Sequence, residues 1–102
     1  MFSNLQSIAN SGKSKQLTAS ALIATIGAQG GVGVVNAIIV SSHTSGTLKL
    51  WDNTAASGTV LVDTFTYATG SQVINLNGPM FIKGLYADMN GTTQSITIVY
   101  NI

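Results

Sequence analysis

The sequence contains no cysteine, so disulfides cannot hold this chain together. Its single histidine, His43, cannot supply the set of Cys and His ligands that a structural zinc site needs. A domain of 102 residues has a thin stability margin, because it buries only ~60–65% of the surface of its unfolded chain. Small domains without disulfides or metals often depend on association with other chains. We therefore expect this chain to associate with other chains.

Charge is also scarce in this sequence. Arginine and glutamate are absent, and charged residues make up 7% of the chain, against about 25% in typical domains. The charged residues are Lys13, Lys15, Lys49, Asp52, Asp63, Lys83 and Asp88. Interface cores are depleted in Lys, Glu and Asp, and a surface of nearly zero net charge associates readily, so the composition favours an assembly component. A monomer with a neutral polar coat is the alternative.

The same composition disfavours several classes of function. Four scattered lysines cannot form the basic stripe that phosphate contacts require, so nucleic-acid binding is not expected. No apolar run approaches the ~20 residues of a membrane-spanning helix. Polar residues interrupt the N-terminus where a signal peptide would be apolar. We expect a soluble protein that is made in a cytoplasm.

Short apolar or alternating runs predict β-strands along most of the chain. They cover residues 32–40, 47–51, 59–67, 72–76, 80–89 and 92–102. Residues 17–26 are rich in alanine, which allows a short helix, but their Thr and Ile residues favour a strand. About seven strands separated by turn residues predict an all-β fold, an antiparallel β-sandwich of jelly-roll-like type.

Turn residues mark where the predicted strands are separated. Residues 42–46, Ser-His-Thr-Ser-Gly, predict a turn, and Asn90 followed by Gly91 is the strongest short hairpin signal in the sequence. A type I′ turn needs positive φ at both central residues, which Asn and Gly tolerate. Pro79 is the only proline and cannot donate a ladder hydrogen bond, so we expect it at a strand start or a sheet edge.

The first sixteen residues differ from the rest of the chain. Residues 1–16 are small and polar, and Phe2, Leu5 and Ile8 are spaced three apart. We interpret residues 1–16 as an N-terminal arm that precedes a sandwich domain at 17–102. Phe2, Leu5 and Ile8 are the candidate partner-binding residues, which would anchor the arm on a neighbouring chain. A frayed terminus is the alternative.

No motif in the sequence supplies catalytic chemistry. Residues 11–14 imitate the end of a P-loop, but Ser7 stands where the motif needs glycine. His43 lies among Ser and Thr residues, yet nothing requires a carboxylate to complete a triad, so a solvated turn histidine explains it better. Asp52 and Asn53 supply only two of the oxygen ligands of a calcium site, and a local turn explains them better. We expect no enzymatic activity, no metal and no cofactor.

Four aromatic residues are candidates for a surface on which sugars stack. They are Trp51, Tyr67, Tyr86 and Tyr100. Core or interface positions are the alternative, because aromatic residues more often serve there.

The stretch 32–100 resembles small β-sandwich proteins of tailed-phage virions. The likeness lies in SHTSGTLKLWD at 42–52, ASGTVL at 56–61, KGLYA at 83–87 and IVY at 98–100. It implies a jelly-roll-like capsid decoration (cement) protein without a cofactor, made in the host cytoplasm and carried on the virion surface. Such a protein would form a homo-oligomer, with a trimer as the first expectation, and would bind the major capsid protein and stabilise the shell. A receptor- or glycan-binding module on a tail, fibre or capsid surface is the alternative.

Overall fold

The computed structural model describes residues 13–26, 31–66 and 71–102, without the side chains of residues 43–45 and 91–94. Every regular element in these residues is a β-strand. The strands are β1 Lys13–Leu17, β2 Ala21–Thr25, β3 Gly33–Asp52, β4 Thr59–Phe65, β5 Gln72–Asn75, β6 Met80–Phe81 and β7 Gly84–Asn101. The predicted all-β fold of about seven strands is confirmed. Within residues 17–26 the predicted strand is confirmed for Ala21–Thr25, whereas Leu17 ends β1 and residues 18–20 separate the two strands.

Two long strands, β3 and β7, run through the whole molecule. They pair antiparallel from Val34 opposite Asn101 to Trp51 opposite Tyr86. The first half of β3 and the second half of β7 form sheet I, with β1 on one side and β5 and β6 on the other. The remaining halves form sheet II, with β2 and β4 at its edges. The two antiparallel sheets pack together, which confirms the predicted sandwich.

The passage of β3 and β7 from one sheet to the other occurs where their ladder is irregular. The register shifts at the steps Val40/Ser42, His43/Ser45 and Ser45/Thr47. Gly46 lies in this region with a φ of 132°, a conformation that side chains disfavour. Because a bulge bends a strand and increases its twist, a series of shifts lets both strands leave one layer and enter the other.

Two predicted turns are wrong, and both lie at this passage. Residues 42–46 belong to the interior of β3, and Asn90 and Gly91 belong to the interior of β7. No described non-glycine residue has positive φ, so Asn90 does not occupy the first central position of a type I′ turn. Small and polar residues here bend the strands and do not reverse the chain. The prediction for Pro79 is right, because it directly precedes β6, and its carbonyl accepts the Val35 N–H at 3.0 Å.

The sandwich begins earlier than the predicted boundary at residue 17. Strand β1 starts at Lys13, which lies opposite Tyr100, and ends at Leu17, which lies opposite Ile96. Leu17 is buried in the core. Residues 13–16 are therefore part of sheet I and not of a separate arm.

The remainder of the predicted arm, residues 1–12, lies outside the described residues. It contains all three candidate partner-binding residues, Phe2, Leu5 and Ile8. Their anchoring role therefore stays a prediction.

Inward-facing side chains of both sheets form one hydrophobic core. The largest fully buried side chains are Phe81, Ile38, Leu48, Leu50, Leu85, Ile96, Ile98, Val35 and Val40. A register shift between Val35 and Ala37 changes the alternation of β3, so that Val35 and Ile38 both face inward. The Phe81 ring lies against Gly33, where a Cβ atom would overlap it, so any larger residue at this position has to displace the ring.

Candidate functional site

Asp52, at the end of β3, is the only buried charged or polar residue among those described, at 7% exposure. Its Oδ1 accepts backbone N–H groups from Ile82 at 3.0 Å, Lys83 at 2.9 Å and Gly84 at 3.4 Å. Its Oδ2 accepts the Ile82 N–H at 3.2 Å. Successive N–H groups that converge in this way form a concavity that suits an anion, and here the chain's own carboxylate fills it. Asp52 thereby fixes the bend between β6 and β7.

The loop after Asp52 is also held by its own hydrogen bonds. Asn53 Oδ1 accepts the Thr54 N–H at 2.8 Å, and Asn53 Nδ2 donates to the Ser57 carbonyl at 2.7 Å. These bonds form a local turn, which is how the sequence analysis explains Asp52 and Asn53. Among the residues that the structure describes, no three His, Cys, Asp or Glu side chains form a group that could hold a metal ion.

The outer face of sheet II carries a row of three charges that crosses three strands. Asp88 in β7 lies opposite Lys49 in β3, and Lys49 Nζ is 3.8 Å from Asp63 Oδ1 in β4. The side chain of Asp63 is 87% exposed, so this ion pair contributes little to stability. We call the surface around this row the sheet II face.

An apolar row runs beside the charges on the sheet II face. Its members lie opposite one another across all four strands and are Leu22, Tyr86, Trp51 and Val60. Lys49 Nζ is 4.4 Å from the centroid of the Trp51 ring, and Trp51 Nε1 donates to Asp88 Oδ2 at 3.4 Å. The indole is therefore already engaged, by a cation over its ring and by an acceptor at its N–H.

The structure brings together two of the four aromatic candidates for sugar stacking. Trp51 and Tyr86 are cross-strand neighbours on the sheet II face. Tyr100 is 9% exposed and packs in the core, which is the alternative to sugar stacking that we considered for these aromatic residues. Tyr67 lies outside the described residues.

The outer face of sheet I has a different character, because it carries no charge. Its apolar residues are Val34, Ala37, Ile39, Val73, Met80 and Val99. Its polar residues are Ser14, Gln16, Asn75 and Thr97. Ile39 is 37% exposed, Val73 59% and Met80 57%. We call this surface the sheet I face.

All seven charged residues of the sequence lie in the described parts of the chain, and none of them is on the sheet I face. Three lie on the sheet II face, Asp52 is buried, and Lys83 is exposed in the bend before β7. Lys13 and Lys15 lie on the edge strand β1, opposite the inward-facing Tyr100 and Ile98, and both are exposed. Lysines at such positions oppose the addition of a further strand to an edge.

Sequence reasoning missed the sheet I face. The apolar run 32–40 predicts a strand buried on both sides, whereas Ile39 is partly open to solvent. The available signal was the absence of any charge in residues 16–48, which contain most of the β3 side of this face. By contrast, the alternation of residues 47–51 correctly predicts Leu48 and Leu50 on one face and Lys49 and Trp51 on the other, and in the structure the leucines face inward.

His43 lies in β3 with Gln94 opposite it in β7, at the passage between the sheets. Its side chain is outside the described part of the structure, so its solvated role stays a prediction. Within the described ranges there is no helix of the length and hydrophobicity needed to cross a membrane. In comparisons with known proteins, no family model, no curated protein and no solved structure matches this chain.

Proposed function

We propose that this chain is a structural subunit of a tailed-phage particle, a capsid decoration (cement) protein. It binds the major capsid protein at the surface of the virion, between capsid subunits, and stabilises the shell. The observation that carries this proposal is the charge-free sheet I face. Covering such a face removes apolar surface from water, and no buried charge has to lose its hydration.

The sheet I face also suits association because its backbone is already ordered. Its central strands are hydrogen-bonded on both sides, so the backbone of this chain loses little conformational entropy when a partner binds. Many copies on one shell repeat the same contact, and multivalent contacts reinforce one another. The stabilising mechanism is the area that each copy buries at a subunit junction.

As the resemblance implies, the proposed decoration protein is a homo-oligomer, with a trimer as the first expectation, and its sandwich is jelly-roll-like. Strands that pass from one sheet to the other are compatible with that arrangement. The chain has no enzymatic activity in this proposal, since Asp52 is held by backbone donors and Asp88 accepts from Trp51.

A receptor- or glycan-binding module is the second candidate, and one observation favours it. Trp51 and Tyr86 lie side by side on the sheet II face, close to the Asp88 carboxylate. Aromatic rings and carboxylates are typical of sugar sites. A sugar would have to displace Lys49 from the Trp51 ring, so we place this function second.

The test compares two exposed valines on edge strands of the two sheets. Val73→Lys adds a charge to the sheet I face, and Val60→Lys adds the same charge to the sheet II face. Each full-length variant is mixed with shells of the major capsid protein, and the bound fraction is measured by co-sedimentation. We expect Val73→Lys to reduce binding by about tenfold or more and Val60→Lys to bind as the unmodified chain does.

Other outcomes of this experiment count against the decoration role. Shells that do not bind the unmodified chain contradict it directly. If Val60→Lys abolishes binding and Val73→Lys does not, the sheet II face is the contact surface. In that case, retention of the unmodified chain on immobilised glycans, and its loss in Trp51→Ala, would establish the second candidate.

A further inference from the structure

We propose that Asn77 is a modification site, where the side-chain amide is lost spontaneously and a carboxylate takes its place beside the sheet I face. The modification itself depends only on the structure of the connection between β5 and β6. Its consequence for shell binding rests on the proposed function, so the modification and its consequence are tested by separate measurements.

The reaction joins the asparagine side chain to the backbone of the next residue. The backbone nitrogen of residue 78 loses its proton and attacks Cγ of Asn77, so that a new C–N bond closes a succinimide ring. The C–N bond of the side-chain amide breaks, and its NH₂ group takes up a proton and leaves as ammonia. Water then opens the ring and leaves an aspartate or an isoaspartate, both negatively charged. A glycine at residue 78 favours the attack, because it has no Cβ to crowd the nitrogen.

The connection between β5 and β6 meets these conditions at Asn77. The side chain of Asn77 is exposed, and Gly78, with a φ of 64°, has open space where a Cβ would stand. Within the described ranges, no group accepts the Gly78 N–H and none is hydrogen-bonded to the Asn77 side chain. Both reacting groups are therefore free to approach each other.

Two backbone hydrogen bonds hold the ends of this connection against β3. The Leu76 N–H donates to the Asn36 carbonyl at 2.9 Å, and the Val35 N–H donates to the Pro79 carbonyl at 3.0 Å. The peptide between residues 77 and 78 lies between these two bonds and takes part in neither. The reacting atoms are thus outside the ladder, while their place at the edge of sheet I is fixed.

Other asparagines of the chain lack this freedom. Asn90 is also followed by glycine, but both residues lie inside β7, where Asn90 is opposite Thr47 in the ladder. The attack would have to rotate the backbone out of its extended form, so the ladder must open first. In the loop after Asp52, Asn53 Oδ1 accepts the Thr54 N–H at 2.8 Å, which holds the nitrogen that would attack. Asn77 is therefore the site at which we expect the modification.

The new carboxylate changes the character of the sheet I face. Asn75 and Met80, both on this face, flank Asn77 along the chain. None of the seven charged residues lies on the sheet I face, so the modification adds the first charge at its rim. A partner that covers the rim has to remove water from this carboxylate, which is unfavourable without a compensating partner charge. Modified copies should therefore bind the shell more weakly than new ones.

Peptide mapping of the full-length chain tests the modification. The protein is incubated folded at mildly alkaline pH, which favours the deprotonated backbone nitrogen, and in parallel unfolded in urea. Cleavage after lysine then places Asn77 in the peptide 50–83 and Asn90 in the peptide 84–102. Mass spectrometry detects the exchange of NH₂ for OH and locates it by fragmentation. The variant Asn77→Gln is the control, because its longer side chain closes a ring far more slowly.

The two incubations predict a specific pattern. In the folded chain, Asn77 should be modified faster than Asn90 by about tenfold or more, because Asn90 reacts only when its ladder opens. In urea the two sites should react at similar rates, and Asn77→Gln should remove the product from the peptide 50–83. Equal rates in the folded chain, or an Asn77 that reacts only in urea, would overturn the assignment. Product that persists in Asn77→Gln would show that another asparagine is the site.

A binding measurement with variants tests the consequence. Asn77→Asp carries the charge of the product, and Ala56→Asp carries the same charge in the exposed loop between β3 and β4. Circular dichroism verifies that both variants retain β-structure. In co-sedimentation with shells, Asn77→Asp should bind about tenfold more weakly than Ala56→Asp or Asn77→Gln. Equal binding of all three refutes the consequence. Shells that do not bind the unmodified chain refute the decoration role instead, and the peptide map still decides the modification.

Discussion

Replacing Asp52 should destabilise the fold far more than replacing any other carboxylate. In Asp52→Ala, the N–H groups of Ile82, Lys83 and Gly84 lose their acceptor. Hydrogen bonds to a charged group contribute about 1.5–3 kcal/mol each, but water can reach the exposed bend at Ile82 and Lys83 in the variant. The Gly84 N–H is buried and stays unsatisfied. We expect a loss of about 3–5 kcal/mol from a total stability of about 5–15 kcal/mol.

Asp52→Asn separates the geometry of this contact from its charge. Asparagine keeps an oxygen at the Oδ1 position, where three N–H groups converge, but places an NH₂ group against the Ile82 N–H that Oδ2 accepts in the native chain. We expect an intermediate loss of about 1–2 kcal/mol. Asp63→Ala is the matched control, because its carboxylate is 87% exposed, and we expect a change within about 0.5 kcal/mol.

Urea unfolding measures these three variants on one scale. The single tryptophan, Trp51, reports by fluorescence, and circular dichroism reports on the strands. With a slope of about 1–1.5 kcal/mol/M, Asp52→Ala should lower the midpoint by about 2–5 M. A midpoint within about 0.5 M of the unmodified chain would refute the role assigned to this carboxylate. Equal losses for Asp52→Asn and Asp52→Ala would show that the charge, and not the position of the oxygen, holds the bend.

Two further predictions concern packing and the N-terminal boundary. Gly33→Ala should lower stability by about 1–3 kcal/mol in thermal unfolding, because the new methyl group overlaps the Phe81 ring. Adding Phe81→Leu should recover part of that loss if ring overlap is the cause, and should deepen it otherwise. Deletion of residues 1–12 should leave the β-type circular dichroism and the melting temperature nearly unchanged. Deletion of 1–16 removes most of β1 and should lower the melting temperature clearly, and equal effects of the two deletions would contradict the boundary at Lys13.

The strands were predictable from the sequence because each of them carries its own local pattern. The alternation Leu48, Lys49, Leu50, Trp51 predicts two side chains on each face, and in the structure the two leucines are in the core and the other two are outside. Pro79 was also predictable, since a residue without an N–H can only precede or flank a ladder. These features depend on the residues themselves and on their immediate neighbours.

The long strands and the faces were not predictable, for a different reason. Residues 42–46 have the composition of a turn, but the same small residues and the same positive φ at Gly46 also suit a bulge. Whether the chain reverses or only bends is decided by β7, which pairs with β3 from far away in the sequence. The sheet I face likewise exists only after pairing sets Ile39 beside Val73 and Thr97. Before pairing, the only sign of this face in the sequence is the absence of charge in residues 16–48.

The sharing of β3 and β7 by both sheets has a consequence for how the fold is acquired and lost. Neither sheet has central strands of its own, so neither can form or melt while the other persists. Val34 pairs with Asn101 and Trp51 pairs with Tyr86. Almost every ladder therefore forms only when distant parts of the chain come together. Such long-range pairing makes folding slow and nearly all-or-none. A proteolytic cut between β6 and β7 would therefore not release a stable half, because β1, β2 and β3 all pair with β7 and would lose that partner.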